Sequence, residues 1–187
     1  MDIDISACVF KALEFFVISN FGLDHRPSHS MMVSWKKADA GWVKLNMDGS
    51  FLGNLGASGF GGLIYDQNGT WICGYARKVG IATSVVAKLW GLKAGLSIVV
   101  SMGFPKCCRG ARCVLRIKPR LMSIVDDCRS IVHTFKEGNR CADAMARRGI
   151  TMDSDFVLLS SVPKDMRNLV AFDAFGDALP RSIPRPP

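Results

Sequence analysis

Apolar and polar positions alternate along the first half of the chain. Between residues 42 and 50, every second residue is apolar, which predicts a strand with one buried face formed by Val43, Leu45 and Met47. Two further β-rich runs, at 59–65 and 70–77, flank the turn sequence Asp66-Gln67-Asn68-Gly69. The pattern therefore predicts a three-stranded antiparallel meander.

The apolar spacing then lengthens to every third or fourth residue. Over residues 83–101 this spacing predicts an amphipathic helix that packs on the meander and ends before Gly103. A basic segment follows, and its short apolar run at 113–117 is interpreted as a strand. Residues 121–135 show helical spacing again. This order of elements predicts an α/β fold with a mixed sheet covered by helices.

A last short helix is predicted to begin after Asn139, a favourable N-cap residue, and to stop at Gly149. Residues 24–41 are polar and are interpreted as an irregular linker, and the proline-rich tail is expected to be extended. The apolar run 7–23 is interrupted by charged residues and lacks a basic n-region. We therefore expect an amphipathic helix or part of an upstream domain there, not a signal or membrane segment.

Composition narrows the function classes only slightly. The formal net charge is +8 and the pI about 9.3, which is compatible with an anionic partner without establishing one. The seven cysteines form no Cys-x-x-Cys pair and the three histidines are scattered, which argues against a zinc site. We expect reduced thiols in an intracellular protein of the nucleus or cytoplasm, with no membrane partner.

Three segments carry a resemblance to a known family: KLNMDGSF (44–51), SVVAKLWGLKAGLSIVVSMGF (84–104) and HTFKEGNRCADAMARRG (133–149). Together they resemble type 1 ribonuclease H domains of the plant retroelement kind. The resemblance covers residues 34–150, leaving an N-terminal extension at 1–33 and a C-terminal extension at 151–187. It implies a ribonuclease H-like sheet with an antiparallel meander plus a parallel strand, flanked by helices.

The resemblance also implies a chemistry. Enzymes of this family are endonucleases that hydrolyse the RNA strand of an RNA–DNA hybrid with two Mg²⁺ (or Mn²⁺) ions held by four carboxylates. Asp48 matches the first of these metal ligands and Asp143 the last. His133 matches a loop histidine that assists proton transfer or product release, and Asn139 matches a helix-capping asparagine.

The chain departs from the family pattern at two carboxylate positions. Lys88 stands where the family has a glutamate on its first helix, and Gly110 stands where it has an aspartate. Lysine cannot ligate magnesium, and its ammonium is expected to pair with Asp48 in place of a metal. About ten residues, a strand of ordinary length, are also missing before His133, so we expect a truncated sheet.

Three readings of the function stay open at this point. The first is a ribonuclease H-like, nucleic-acid-binding domain whose catalysis is impaired or lost, with basic residues around 106–120 available to phosphates. The second is an active hydrolase. The third is a non-catalytic relic derived from a retrotransposon, or a protein-interaction module.

Overall fold

The computed structural model describes residues 28–53, 56–104, 107–108, 136–153 and 155–184. The predicted segments 7–23, 113–117 and 121–135, and the stretch where a strand is expected to be missing, lie outside these residues. No helix in the described part of the chain is long and apolar enough to cross a membrane.

The predicted meander is present. Strands β2 (Val43–Phe51), β3 (Ala57–Tyr65) and β4 (Trp71–Ile81) pair antiparallel in chain order. The hairpin between β3 and β4 closes on Asp66, whose carboxylate accepts hydrogen bonds from the backbone N–H groups of Asn68 and Thr70 at 2.8 and 2.7 Å. This local side-chain-to-backbone bonding explains why the turn was recognisable from the sequence.

Two short strands extend the meander into a five-stranded mixed sheet of order β5-β2-β3-β4-β6. Strand β5 (Cys107–Cys108) runs parallel to the start of β2, and β6 (Val157–Leu159) pairs antiparallel with β4. The sheet is therefore completed on one side by residues that follow the first helix and on the other by residues near the C-terminus.

One helix covers each face of the sheet. Helix α1 (Ser84–Ser101) packs on the face to which Val43, Leu45 and Met47 point, as the alternation predicted. Helix α2 (Arg140–Thr151) packs on the opposite face over all three meander strands. The hydrophobic core between α2 and the sheet also includes Trp35, which precedes β2, and Met166, which follows α2.

Helix α2 begins after Asn139 as predicted, but it continues two residues beyond Gly149. A Cβ atom at residue 149 would lie 2.7 Å from the carbonyl oxygens of both Phe60 and Arg77. The glycine therefore allows the helix to approach strands β3 and β4 closely, and it does not end the helix. A close approach of this kind has the same sequence signal as a C-terminal cap.

The prediction of an irregular linker at 24–41 is wrong for part of that range. Strand β1 (Ser28–Ser34) pairs antiparallel with β7 (Ala178–Pro184), so the tail is extended as predicted but also paired. The two prolines of β7 are tolerated because this pair forms a separate two-stranded ribbon with open edges. The strand that pairs with β1 lies at the other end of the chain, so no local pattern could reveal the pairing.

Helix α3 (Arg167–Phe175) precedes β7.

Candidate functional site

Asp48 lies near the C-terminal end of β2 and is only 2% exposed. Its Oδ1 accepts a hydrogen bond from the backbone N–H of Gly49 at 2.9 Å. A buried carboxylate is costly unless hydrogen bonds or an opposite charge compensate it. The surroundings of Asp48 therefore determine what this end of the strand can bind.

Gly49 allows the first turns of α1 to rest directly on the strand. A Cβ atom at residue 49 would lie 2.4 Å from the backbone nitrogen of Lys88 and 2.9 Å from the Cβ of Ala87. Contacts this short leave no room for any side chain larger than hydrogen. The Asp-Gly sequence thus has two roles here: the aspartate provides the carboxylate, and the glycine brings the helix beside it.

This close approach places Lys88 against Asp48. The Lys88 ammonium lies 3.6 Å from Asp48 Oδ1, and the two side chains are 13% and 3% exposed. The ion pair predicted from the sequence is therefore present. The positive charge that compensates the buried carboxylate belongs to the protein itself.

The second predicted ligand, Asp143, lies in the first turn of α2. The start of this helix is held against β2 by Asn139, whose side-chain amide donates to the carbonyl oxygen of Met47 at 3.2 Å. Asn139 therefore occupies the N-cap position, but its side chain makes no capping hydrogen bond. The prediction that Asn139 stands at the N-cap position is correct, but the predicted capping role is wrong because its side chain forms no hydrogen bond to the first turn of the helix.

The Asp143 carboxylate forms an ion pair within its own helix. Its Oδ2 lies 2.9 Å from the Arg147 guanidinium, one turn later on the same helix, and its side chain is 21% exposed. The other two residues singled out by the sequence, His133 and Gly110, lie outside the described residues. The structure thus brings Lys88 to Asp48 and the start of α2 to the residue preceding Asp48.

The residues present do not fit a two-magnesium centre. Such a centre needs several oxygen ligands around each ion, whereas an ammonium group occupies the space beside Asp48 Oδ1. Within the described ranges, no group of three or more His, Cys, Asp or Glu side chains could hold a metal ion.

A second buried acid lies on the α2 side of the sheet, and the sequence alone gave no role to it. Asp173 of α3 is 2% exposed, and its Oδ2 has no hydrogen-bond partner in the described part of the chain. Burial raises the pKa of the Asp173 carboxyl to about 6, although a hydrogen bond with Cys141 and the positive charges of Lys44 and Arg140 act in the opposite direction. Burial likewise raises the pKa of the Cys141 thiol well above its ordinary value.

Lys44 is a buried lysine on the same side of the sheet as Asp173. Its ammonium donates to the carbonyl oxygen of Lys36 and lies 4.2 Å from the centroid of the Trp35 ring. The strand alternation predicted that Lys44 would point away from the α1 core, but it did not predict burial. The covering layer comes from residues before β2 and after α2, which lie far away in the sequence.

Comparisons with known proteins agree with the resemblance of the motifs. A family model described as reverse transcriptase-like matches residues 46–108. A protein of Arabidopsis thaliana named as a ribonuclease H protein is 30% identical over 176 residues, which cover 84% of this chain and 28% of the relative. The chain therefore spans little more than a quarter of that relative.

Three solved structures that are similar to part of this chain are described as ribonuclease H proteins or domains. The N-terminal domain of a Mycobacterium tuberculosis protein has a TM-score of 0.47 at 21% identity, covering 58% of this chain and 92% of that one. A ribonuclease H1 from Halobacterium salinarum has a TM-score of 0.44 at 21% identity, covering 57% and 96%. A third, crystallised with an RNA/DNA hybrid, has a TM-score of 0.43 at 20% identity, covering 58% and 96%.

Proposed function

We propose that this chain carries a ribonuclease H-like domain that binds nucleic acid of the RNA–DNA hybrid class without hydrolysing the RNA strand efficiently, as its similarity to a ribonuclease H protein supports. The observation that carries the proposal is the ammonium of Lys88, 3.6 Å from the Asp48 carboxylate. A divalent ion at Asp48 would have to displace this charge or tolerate its repulsion. The net charge of +8 favours phosphate binding, which does not depend on the metal.

The magnitude of the repulsion supports impaired catalysis. Two unit charges 4 Å apart interact by about 4 kcal/mol at the effective dielectric constant of a partly buried site, and a divalent ion doubles that figure. Repulsion of this size weakens the binding of a metal ion at Asp48, so a nuclease that relied on metals at this position would be slowed.

The proposal is tested by measuring binding and cleavage separately. An 18-base-pair RNA–DNA hybrid is titrated with the full chain at several salt concentrations, and cleavage is followed with Mg²⁺ or Mn²⁺. We expect binding that weakens linearly in log–log plots against salt, with a slope of about −0.7 to −0.9 per phosphate contacted, and no cleavage above background.

Two outcomes would contradict the proposal. Efficient metal-dependent cleavage by the unmodified chain, lost in Asp48→Asn, would show an active hydrolase. Absence of hybrid binding even at low salt would leave a protein-interaction module or a relic.

A further inference from the structure

A small pocket lies between α1 and strands β3 and β4, and neither Lys88 nor Asp48 lines it. It has a volume of about 160 Å³ and is lined by Phe60, Arg77, Lys78, Val79 and Trp90. Phe60 is buried and forms part of the wall, whereas Trp90 is 44% exposed. We refer to this feature as the Trp90 pocket. Neither Asp48 nor Asp143 lines it.

The charge around the pocket has a single sign. Neither β3, β4 nor α1 contains an aspartate or glutamate. Arg77 and Lys78 are exposed at the pocket, and Lys93 is exposed one turn beyond Trp90. Among the described residues none of these three cations has an ion-pair partner. Three exposed cations that form no ion pair with another described residue are complementary to an anion.

The pocket also offers an aromatic surface. The Lys93 ammonium lies over one face of the Trp90 ring, 5.2 Å from its centroid, and a base would stack on the opposite face. Val86, one turn before Trp90, is 40% exposed and continues the apolar surface. An exposed indole flanked by cations is the arrangement with which proteins hold single-stranded nucleic acid, because every base has a flat face and each base is joined to a phosphate.

The size of the pocket limits what it can take. Sites for drug-sized ligands have volumes of about 300–1,000 Å³, roughly two to six times that of the Trp90 pocket. A group the size of one flat ring fits it better than a larger ligand does. Bases inside a duplex are already stacked on their neighbours and are not available to such a pocket.

We propose that the Trp90 pocket takes one unpaired nucleobase, stacked on the Trp90 indole, with the adjoining phosphates held by Arg77, Lys78 and Lys93. This inference rests on the proposed function, since it names a single-strand subsite of a nucleic-acid-binding domain. The subsite recognises the ring face and the phosphate, so it tolerates different bases. A single-stranded overhang beside a hybrid is the substrate class that would occupy it.

The test compares three fluorescent probes bound to the full chain: a thymidine 12-mer, an abasic 12-mer with the same number of phosphates, and a blunt RNA–DNA hybrid. Trp90→Ala should weaken binding of the thymidine 12-mer by about 5- to 100-fold, the loss of one stacked base. It should leave the abasic strand and the blunt hybrid within about twofold. Trp90→Phe should restore most of the loss. Arg77→Gln should weaken all probes that contact the pocket through phosphate, including the abasic strand.

Phe175→Ala is the matched control, because Phe175 is 82% exposed on α3 and does not line the pocket. It should change none of the affinities. Unchanged binding of the thymidine 12-mer by Trp90→Ala, with the hybrid still bound, would overturn the pocket and leave the proposed function standing. Equal losses for the abasic and thymidine strands would overturn stacking.

Two further results would also overturn the proposal. If the unmodified chain binds none of the three probes at low salt, the proposed function fails and the subsite fails with it. If an acidic peptide containing phenylalanine binds more tightly than the thymidine 12-mer and depends on Trp90, the pocket belongs to a protein partner.

Discussion

Residue 88 determines the charge that faces Asp48, because Gly49 fixes the distance between the helix and the strand. Removing one partner of a buried ion pair leaves the other uncompensated, whereas the intact pair offsets much of its own desolvation. The charges of Asp48 and Lys88 therefore compensate each other within the protein. A divalent ion would add positive charge to a site that already contains one cation.

Lys88→Glu should raise the affinity for Mg²⁺ by more than about tenfold, because it removes a repelling charge and adds an oxygen ligand beside Asp48. The measurement is a magnesium titration of both forms, followed by NMR or calorimetry. Activity is not expected to return with affinity, since Gly110 still supplies no ligand.

The double variant Lys88→Glu/Asp48→Asn should lose the increase in Mg²⁺ affinity. This loss would show that the ion binds at Asp48. Lys93→Glu should leave magnesium affinity near that of the unmodified chain. If the unmodified chain already binds Mg²⁺ at Asp48 as tightly as Lys88→Glu does, the ammonium does not control the site and the prediction is wrong.

Asp173 predicts a specific dependence of stability on pH. Its folded pKa of about 6 lies above the ordinary value of 3.8, so between these pH values the folded state binds more protons than the unfolded state. The free energy of unfolding should therefore fall as pH rises from about 4 to about 6. The shift of roughly two units corresponds to about 3 kcal/mol at most.

Asp173→Asn should remove this slope and stabilise the protein at pH 7 by about 1–3 kcal/mol, with little effect below pH 4. Urea unfolding at several pH values measures it. Asp165→Asn is the control, since the Asp165 side chain is 68% exposed and its change should leave the slope in place. A slope that survives Asp173→Asn would show that other groups cause it.

At the scale of elements, the β1–β7 ribbon is tied to the start of α2 by a charged hydrogen-bonded pair. Arg181 of β7 donates through Nη1 to both carboxylate oxygens of Glu137, at 3.1 and 3.0 Å. Glu137 lies in the 3₁₀ turn Lys136–Gly138, directly before Asn139 and helix α2. The tail of the chain therefore supports the segment that places the start of α2 on β2.

Arg181→Ala should lower the free energy of unfolding by about 1 kcal/mol, because the pair is partly buried, with side chains 32% and 23% exposed. Arg148→Ala removes a pair of the same geometry that is more exposed, at 39% and 68%, and should cost about half as much or less. Urea unfolding compares the two. Equal losses would show that burial of the Arg181 pair adds nothing.

The same elements show what the sequence could predict. The meander and α1 follow from short-range patterns: alternation, a turn closed by Asp66, and apolar residues three and four apart. The β1–β7 ribbon and the burial of Lys44 depend on segments far apart in the chain, and a local pattern contains no information about such pairing. Gly149 was misassigned because a helix end and a close helix–strand contact both require glycine.

For the molecule as a whole, the contact at Asp48 was predictable from two short segments. The resemblance of KLNMDGSF and of the helix segment containing Lys88 was sufficient to predict the ion pair, because a helix packed on the end of β2 leaves these side chains few other positions. The Trp90 pocket was not predictable in the same way. It requires the register of β4 against β3, which brings Arg77 opposite Phe60, and this register shifts at a bulge.

The ribbon also affects how such a domain can be joined to other proteins. Ser28 pairs with Pro184, so the chain enters and leaves the described fold at neighbouring points, about 5 Å apart as in any antiparallel pair. A surface loop of a host protein has ends that are similarly close. Residues 28–184 are therefore suited to transfer as a cassette into such a loop, and a short linker between Ser28 and Pro184 would allow circular permutation at the Asp66–Gly69 turn.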